Sequence, residues 1–185
     1  MEQVQTLLKE LPEHVQDMVV FTLSTGLRYS NVLKLEWAQV DLNQAHLWVD
    51  ASKSKSKRAL SIPLNAQALA VLHKQVGKHP TRVFTKAGKV FYRANGQVWR
   101  DALKRAGIAD FRWHDLRHTW ASWAIQNGIT VYEVQHLGGW SSGRMVERYA
   151  HLSSAHLATA AGKLPSLPSY VPATLPSNQV DAVPL

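Results

Sequence analysis

His114 and Arg117 stand three residues apart, a spacing that puts both on one face of a helix. A guanidinium grips a phosphate through paired N–H donors, and an imidazole beside it can donate a hydrogen bond or carry a proton. The same pair also fits an ordinary exposed helix face. His118 follows His114 by four residues, a spacing able to bind zinc, but the chain has no cysteine and no His-Glu-x-x-His run. No metal and no cofactor is therefore expected. Arg28 follows a Gly-containing break, Trp140 follows two glycines, and Tyr149 lies near the end of a helical stretch. Taken singly, each has a plain packing or surface explanation. Lys53, Lys55, Lys57 and Arg58 crowd a Ser/Lys segment that could contact an anion or guard a sheet edge.

The elements that must position these residues are legible in outline. Apolar spacing predicts helix over Pro12–Leu35, broken at Thr25 and Gly26. Alternation predicts strands at His46–Ala51 and Ala59–Leu64, joined by Ser52–Arg58 as a hairpin loop, with Pro63 closing the second strand or lying on an edge. Further helices are predicted over Ala66–Val76, Val90–Ala106 and His114–Gln126, with a short extended segment at Arg82–Thr85. Thr130 and Glu133 form a capping-box pattern for a helix that Gly138 and Gly139 end. Ser142–Tyr149 and Ser153–Ala161 read as the last helices. The fold class is α+β, mostly α-helical, with a small antiparallel β-sheet.

The 185 residues suffice for one domain with a real core. A formal net charge of +8 points to a polyanionic partner without naming one. The start of the chain lacks a secretory pattern and no long apolar run exists, so a cytoplasmic location without membrane contact is expected. Residues 163–185 hold most of the chain's eight prolines, with serine and the single charge of Asp181 beyond Lys163, and read as a Pro-rich, disordered tail behind a folded region at 1–162.

In this order, four patches resemble the tyrosine recombinase family, the phage-integrase class of site-specific recombinases. Thr25-Gly26-Leu27-Arg28 resembles the first arginine box. His114-Asp115-Leu116-Arg117-His118-Thr119 resembles the second, Leu137-Gly138-Gly139-Trp140 the histidine-or-tryptophan box, and Arg148-Tyr149-Ala150-His151-Leu152 the nucleophile box. Trp140 and Tyr149 are nine residues apart, as in the family. The match runs from about Pro12 to Leu157.

The resemblance implies a tyrosine recombinase catalytic-domain fold and a metal-independent DNA strand transfer through a 3′-phosphotyrosine on Tyr149. Arg28, His114, Arg117 and Trp140 would surround the phosphate. In the family pattern the catalytic lysine lies eight residues before the proline that closes the next strand, so Pro63 selects Lys55 from the three candidates. Lys53, Lys57, Arg58, Arg112 and Arg144 would be DNA-backbone contacts. Double-stranded DNA, self-association into a tetramer on DNA and accessory DNA-bending proteins are the implied partners. An acidic residue of some members is replaced by Asn31, which can orient Arg28 but cannot offset its charge. Full members usually carry an amino-terminal core-binding domain, which is expected to be absent from this chain. Two rivals remain open: a DNA-binding remnant without recombination activity, and a type IB topoisomerase.

Overall fold

The computed structural model describes residues 2–50 and 59–153. The Ser/Lys loop with Lys53, Lys55, Lys57 and Arg58, and the Pro-rich segment, lie outside the described residues. Helix α1 (Glu2–Glu10) precedes the first element that apolar spacing predicts, and buries Leu7. Pro12, whose fixed φ suits a helix start, leads into α2 (Glu13–Thr25). Val15, Met18, Val19, Phe21 and Leu23 bury several sides of α2, which makes it the central helix. Its buried threonines are satisfied: Thr22 and Thr25 donate to the carbonyls of Met18 and Phe21, each at 2.7 Å.

Gly26 ends α2 in the left-handed region at φ 65°, donating to the Thr22 carbonyl, and the chain turns through Arg28 into α3 (Tyr29–Leu33). A three-stranded antiparallel sheet follows: β1 (Val40–Asp41), β2 (His46–Val49) and β3 (Leu60–Pro63), in the order β1-β2-β3. Leu47 pairs with Ile62 and both face the core, while Trp48 and its partner Ser61 are exposed. Pro63 sits on the edge strand, where its missing N–H costs no ladder bond. Asn65 caps α4 (Ala66–Gln75) by accepting from Ala68 N–H at 2.9 Å. Asp17 of α2 accepts from Lys74 and Gln75 of α4, both at 2.8 Å, which pins the two helices together.

Within Arg82–Thr85, predicted as a short extended segment, Glu36 bridges Arg82 and the Val83 N–H donates to the Leu35 carbonyl. The helix predicted over Val90–Ala106 shrinks to α5 (Gln97–Arg105). The N–H groups of Ala94 and Asn95 are directed to the Tyr29 hydroxyl, so the helix begins only after Gly96.

Three elements complete the site: α6 (Trp113–Gln126), α7 (Val131–Gly138) and α8 (Arg144–Glu147), with a 3₁₀ turn over Ala150–Ser153. The Thr130–Glu133 capping box forms as predicted, with Thr130 Oγ1 accepting from Glu133 N–H and the Glu133 carboxylate accepting from Thr130 N–H.

Helix α6 belongs to two cores. Trp113 and Leu116 enter the main cluster with α1, α2, the sheet, α4 and α5. Ala121, Ala124 and Ile125 enter a smaller one with Val134, Val146 and Tyr149. Arg117 and His118 fall where α6 passes from one to the other. No helix among the described residues is long and apolar enough to cross a membrane.

Gly26 carries a testable constraint. Its φ is left-handed, and a Cβ there would fall 2.4 Å from the Trp120 ring. Gly26→Ala is expected to cost about 2–4 kcal/mol from the two effects together, read as a lowered urea midpoint with unchanged slope.

Candidate active site

Arg117 is 2% exposed, and its guanidinium carries a positive charge into the interior. One Nη donates to the Gly26 carbonyl at 2.5 Å and the other to the Gly138 carbonyl at 2.6 Å. These oxygens close α2 and end α7, where backbone carbonyls lack helical partners and carry the negative end of the helix dipole. The arginine side chain thus joins two helix ends from a third helix. No carboxylate pairs with it among the described residues, so backbone dipoles and the face of the Trp140 ring are what offset its charge. Burial, then the field of Arg28, pushes its pKa down to about 9, with Tyr149 acting the other way. It remains charged at neutral pH, short of negative charge and close to a second cation.

An aromatic stack closes one side. Arg117 Cζ lies 3.8 Å from the Trp140 ring centroid, and Trp140 stacks on Trp120 at 5.9 Å and 17°. Glycine is needed beside the stack: a Cβ on Gly138 would fall 1.9 Å from the Trp140 ring. Leu60, the first residue of β3, packs against Gly139 and lines a small cleft with Trp140. The β3 end of the hairpin therefore begins at the margin of this cluster.

Arg28 occupies the position just before α3 without a side-chain capping bond and is half-buried, which lowers its proton affinity. Its field reaches both Arg117 and His114. The neighbours of Arg28 and His114 lock the two segments together: Tyr29 packs edge-on against Trp113 at 5.1 Å, and Trp113 against Trp99 at 4.9 Å. The Asn31 side chain makes no hydrogen bond to Arg28 among the described residues; the Asn31 backbone N–H donates to the Arg28 carbonyl at 2.9 Å.

His114 lies exposed in the first turn of α6. Burial and then Arg117 hold its pKa below the ordinary imidazole value. One turn later His118 meets it edge to face, with centroids 4.9 Å apart. The nitrogen that meets the Tyr149 hydroxyl belongs to His118: its Nδ1 is hydrogen-bonded to the phenol. Tyr149 is 6% exposed and anchored after α8 by its N–H to the Val146 carbonyl at 2.9 Å. Burial raises the phenol's pKa above its usual value, partly opposed by Arg148 and Arg117.

The structure thus gathers Arg28, His114, Arg117, Trp140 and Tyr149 into one neighbourhood. Arg112 and Arg144 are exposed, and Arg112 has its Nε 3.6 Å from the Asp115 carboxylate. That carboxylate also accepts from the Arg112 N–H at 2.7 Å, capping α6. Lys53, Lys55, Lys57 and Arg58 lie outside the described residues. Sequence reasoning missed His118 as the partner of the phenol. The i, i+4 spacing to His114 was the visible signal, and it marks a shared helix face as well as a zinc pair. Among the described residues no group of three metal-ligating side chains converges.

Proton linkage follows from the histidines. His14, His114 and His118 all have pKa values lowered mainly by burial. Below pH of about 6.5 the unfolded chain binds protons that the folded one resists. Stability from these groups is full above that pH and is lost as pH falls through the lower folded-state values. Urea unfolding at pH 7.5 and pH 5.5 should show the midpoint falling at the acid end, and His14→Phe should lessen the fall.

Comparison with known proteins gives this arrangement a context. The family model of the phage integrase family matches residues 1–156. The integrase of Salmonella phage P22 is 45% identical over 179 residues, covering 89% of this chain and 46% of that protein. A shufflon-specific DNA recombinase of Escherichia coli is 33% identical, covering 73% of this chain and 34% of that one. The chain thus spans about half or less of the length of these curated relatives. Among solved structures, the catalytic domain of bacteriophage HP1 integrase superimposes with a TM-score of 0.66 at 25% identity, covering 88% of this chain and 91% of that one. With the buried arginine of one helix joining the ends of two others and the tyrosine on its flank, the fold is that of a tyrosine recombinase catalytic domain, and the chain belongs to the phage integrase family.

Proposed function

We propose that this chain is the catalytic domain of a site-specific DNA recombinase that cleaves and rejoins DNA through a covalent 3′-phosphotyrosine on Tyr149. The observation that carries the reading is Arg117: a guanidinium buried without a carboxylate partner among the described residues, in the field of Arg28 and beside a phenol. Such a site favours an anion, and a phosphodiester supplies one.

The chemistry then follows from the residue types. The phosphorane-like transition state gathers charge on its non-bridging oxygens, and Arg28 and Arg117 answer it with fixed positive charge. Lysine is a poor substitute at either position, because it lacks the planar fork. At Arg117 it also cannot span the Gly26 and Gly138 carbonyls. His114 donates to a phosphoryl oxygen, and Trp140 packs Arg117 in register and offers its indole N–H. Lys55 delivers a proton to the leaving 5′ oxygen as general acid. Covalent catalysis conserves the bond energy until a second 5′-hydroxyl reverses the attack.

Lys53, Lys57, Arg58, Arg112 and Arg144 contact backbone phosphates and position the duplex without reading its sequence. The working assembly is a tetramer on two duplexes, helped by DNA-bending proteins, in the cytoplasm. Residues 1–162 form the catalytic unit and 163–185 a tail.

A pool of nicked suicide duplexes with randomised cores tests the reading. The unaltered chain should yield protein–DNA adducts stable to denaturation. Tyr149→Phe should abolish them while leaving gel-shift affinity within about threefold; adducts at the normal yield would remove Tyr149 from the role. Arg117→Ala should cut cleavage of the selected duplex by at least about a hundredfold, with a much smaller change in affinity. Equal losses in both would reduce Arg117 to a positioning contact.

A further inference from the structure

The hydrogen bond between Tyr149 and His118 joins the proposed nucleophile to a side chain that the preceding chemistry leaves idle. The Tyr149 hydroxyl lies in a buried ring whose only described hydrogen-bond partner is His118 Nδ1. His118 is half-buried, on the helix that carries Arg117, one residue further round its axis. We infer that His118 is the base that receives the Tyr149 proton during DNA cleavage and returns it during rejoining. The inference rests on the reading of Tyr149 as nucleophile.

The step balances. The Tyr149 oxygen forms a bond to phosphorus as the bond from phosphorus to the 5′ oxygen breaks. The phenol proton passes along the existing hydrogen bond to Nδ1, and the 5′ oxygen takes a proton from its general acid. Rejoining reverses both transfers. With its proton directed at Nδ1, the phenol oxygen keeps its lone pairs for attack. His114, by contrast, reaches His118 through ring contact and leaves its own nitrogens for the phosphate.

The surroundings set when the transfer can happen. His118 is held neutral first by burial, then by His114 and Arg148, with Arg117 adding to this and Asp115 opposing it. Titratable groups on the other elements packed against α6 are engaged elsewhere. Asp17 and Glu13 of α2 bind Lys74, and His14 meets Phe91. On α7, Glu133 caps its helix and His136 bonds to the Tyr132 carbonyl; His151 of the 3₁₀ turn is exposed. Without DNA, therefore, the cations around His118 disfavour an imidazolium. A phosphodiester with growing charge between Arg28 and Arg117 offsets them and makes the proton transfer favourable. The nucleophile is activated by the substrate's own charge.

The test is single-turnover cleavage of the duplex selected above, with either a 5′ bridging oxygen or a 5′ bridging sulfur at the scissile bond. A sulfur leaving group needs no proton, so it compensates for loss of a general acid and not for loss of a base. His118→Gln should cleave both substrates at least about a hundredfold more slowly, bind DNA as the unaltered chain does, and lose the acid limb of the pH–rate profile. Cleavage within threefold of the unaltered chain would overturn the assignment, as would recovery on the sulfur substrate. Should His118→Gln fail to fold cooperatively, 15N spectra of the unaltered chain and of Tyr149→Phe decide instead. The Nδ1 resonance of His118 should show a hydrogen-bonded acceptor that disappears in the variant, and an unchanged resonance would overturn the assignment. Adducts from the unaltered chain but not from Tyr149→Phe, with normal cleavage by His118→Gln, would sink only the His118 role. Absence of adducts from the unaltered chain would sink the nucleophile reading and this role with it.

Discussion

A guanidinium with almost no exposure must be satisfied by something, and in this protein two helix ends satisfy it. Arg117 donates to Gly26 at the close of α2 and to Gly138 at the end of α7. Each carbonyl would otherwise lack a helical partner, so one side chain answers three needs. It also orders the molecule, because the loop bearing Arg28 and the turn bearing Trp140 are both tied to α6. Two backbone dipoles offset only part of a full charge, and the remainder is a standing preference for an anion.

The position of Arg117 along α6 gives that preference a location. The helix leaves the main core at Leu116 and enters the smaller one at Ala121, and the polar residues between them sit at the seam. A cation in the middle of either core would meet only hydrocarbon. At the seam it meets helix ends on one side and the Trp140–Trp120 stack on another. Gly26 and Gly138 let the two indoles approach, since a Cβ on either would overlap a ring. The aromatic packing of Tyr29 on Trp113 does the corresponding task for Arg28 and His114.

Burial first, and neighbouring cations second, lowers the proton affinity of His114 and His118, while burial raises that of the Tyr149 phenol. In the proposed reaction a phosphodiester among the same cations would supply charge opposite to theirs. In the proposed reaction, the Tyr149 phenol starts out protonated and hydrogen-bonded to His118.

Much of this was legible before any coordinates. Periodicity placed α2, α4 and α6, the Thr130–Glu133 pattern announced α7, and the alternation at Leu47, Val49 and Ile62 announced the buried face of the sheet. The four boxes named Arg28, His114, Arg117, Trp140 and Tyr149, because residue type and spacing are local properties. What the chain alone left undecided depends on partners distant in sequence. The start of α5 was obscured because the Tyr29 hydroxyl, far upstream, takes the N–H groups of Ala94 and Asn95. Spacing placed Arg117 on a helix face with His114, but not its depth or its two carbonyl partners, 91 and 21 residues away. His118 offered only a spacing to His114; its bond to Tyr149 spans 31 residues and forms where α6 meets the turn after α8. Spacing along a helix tells which side chains share a face, and only the packing of other helices on that face tells what they touch.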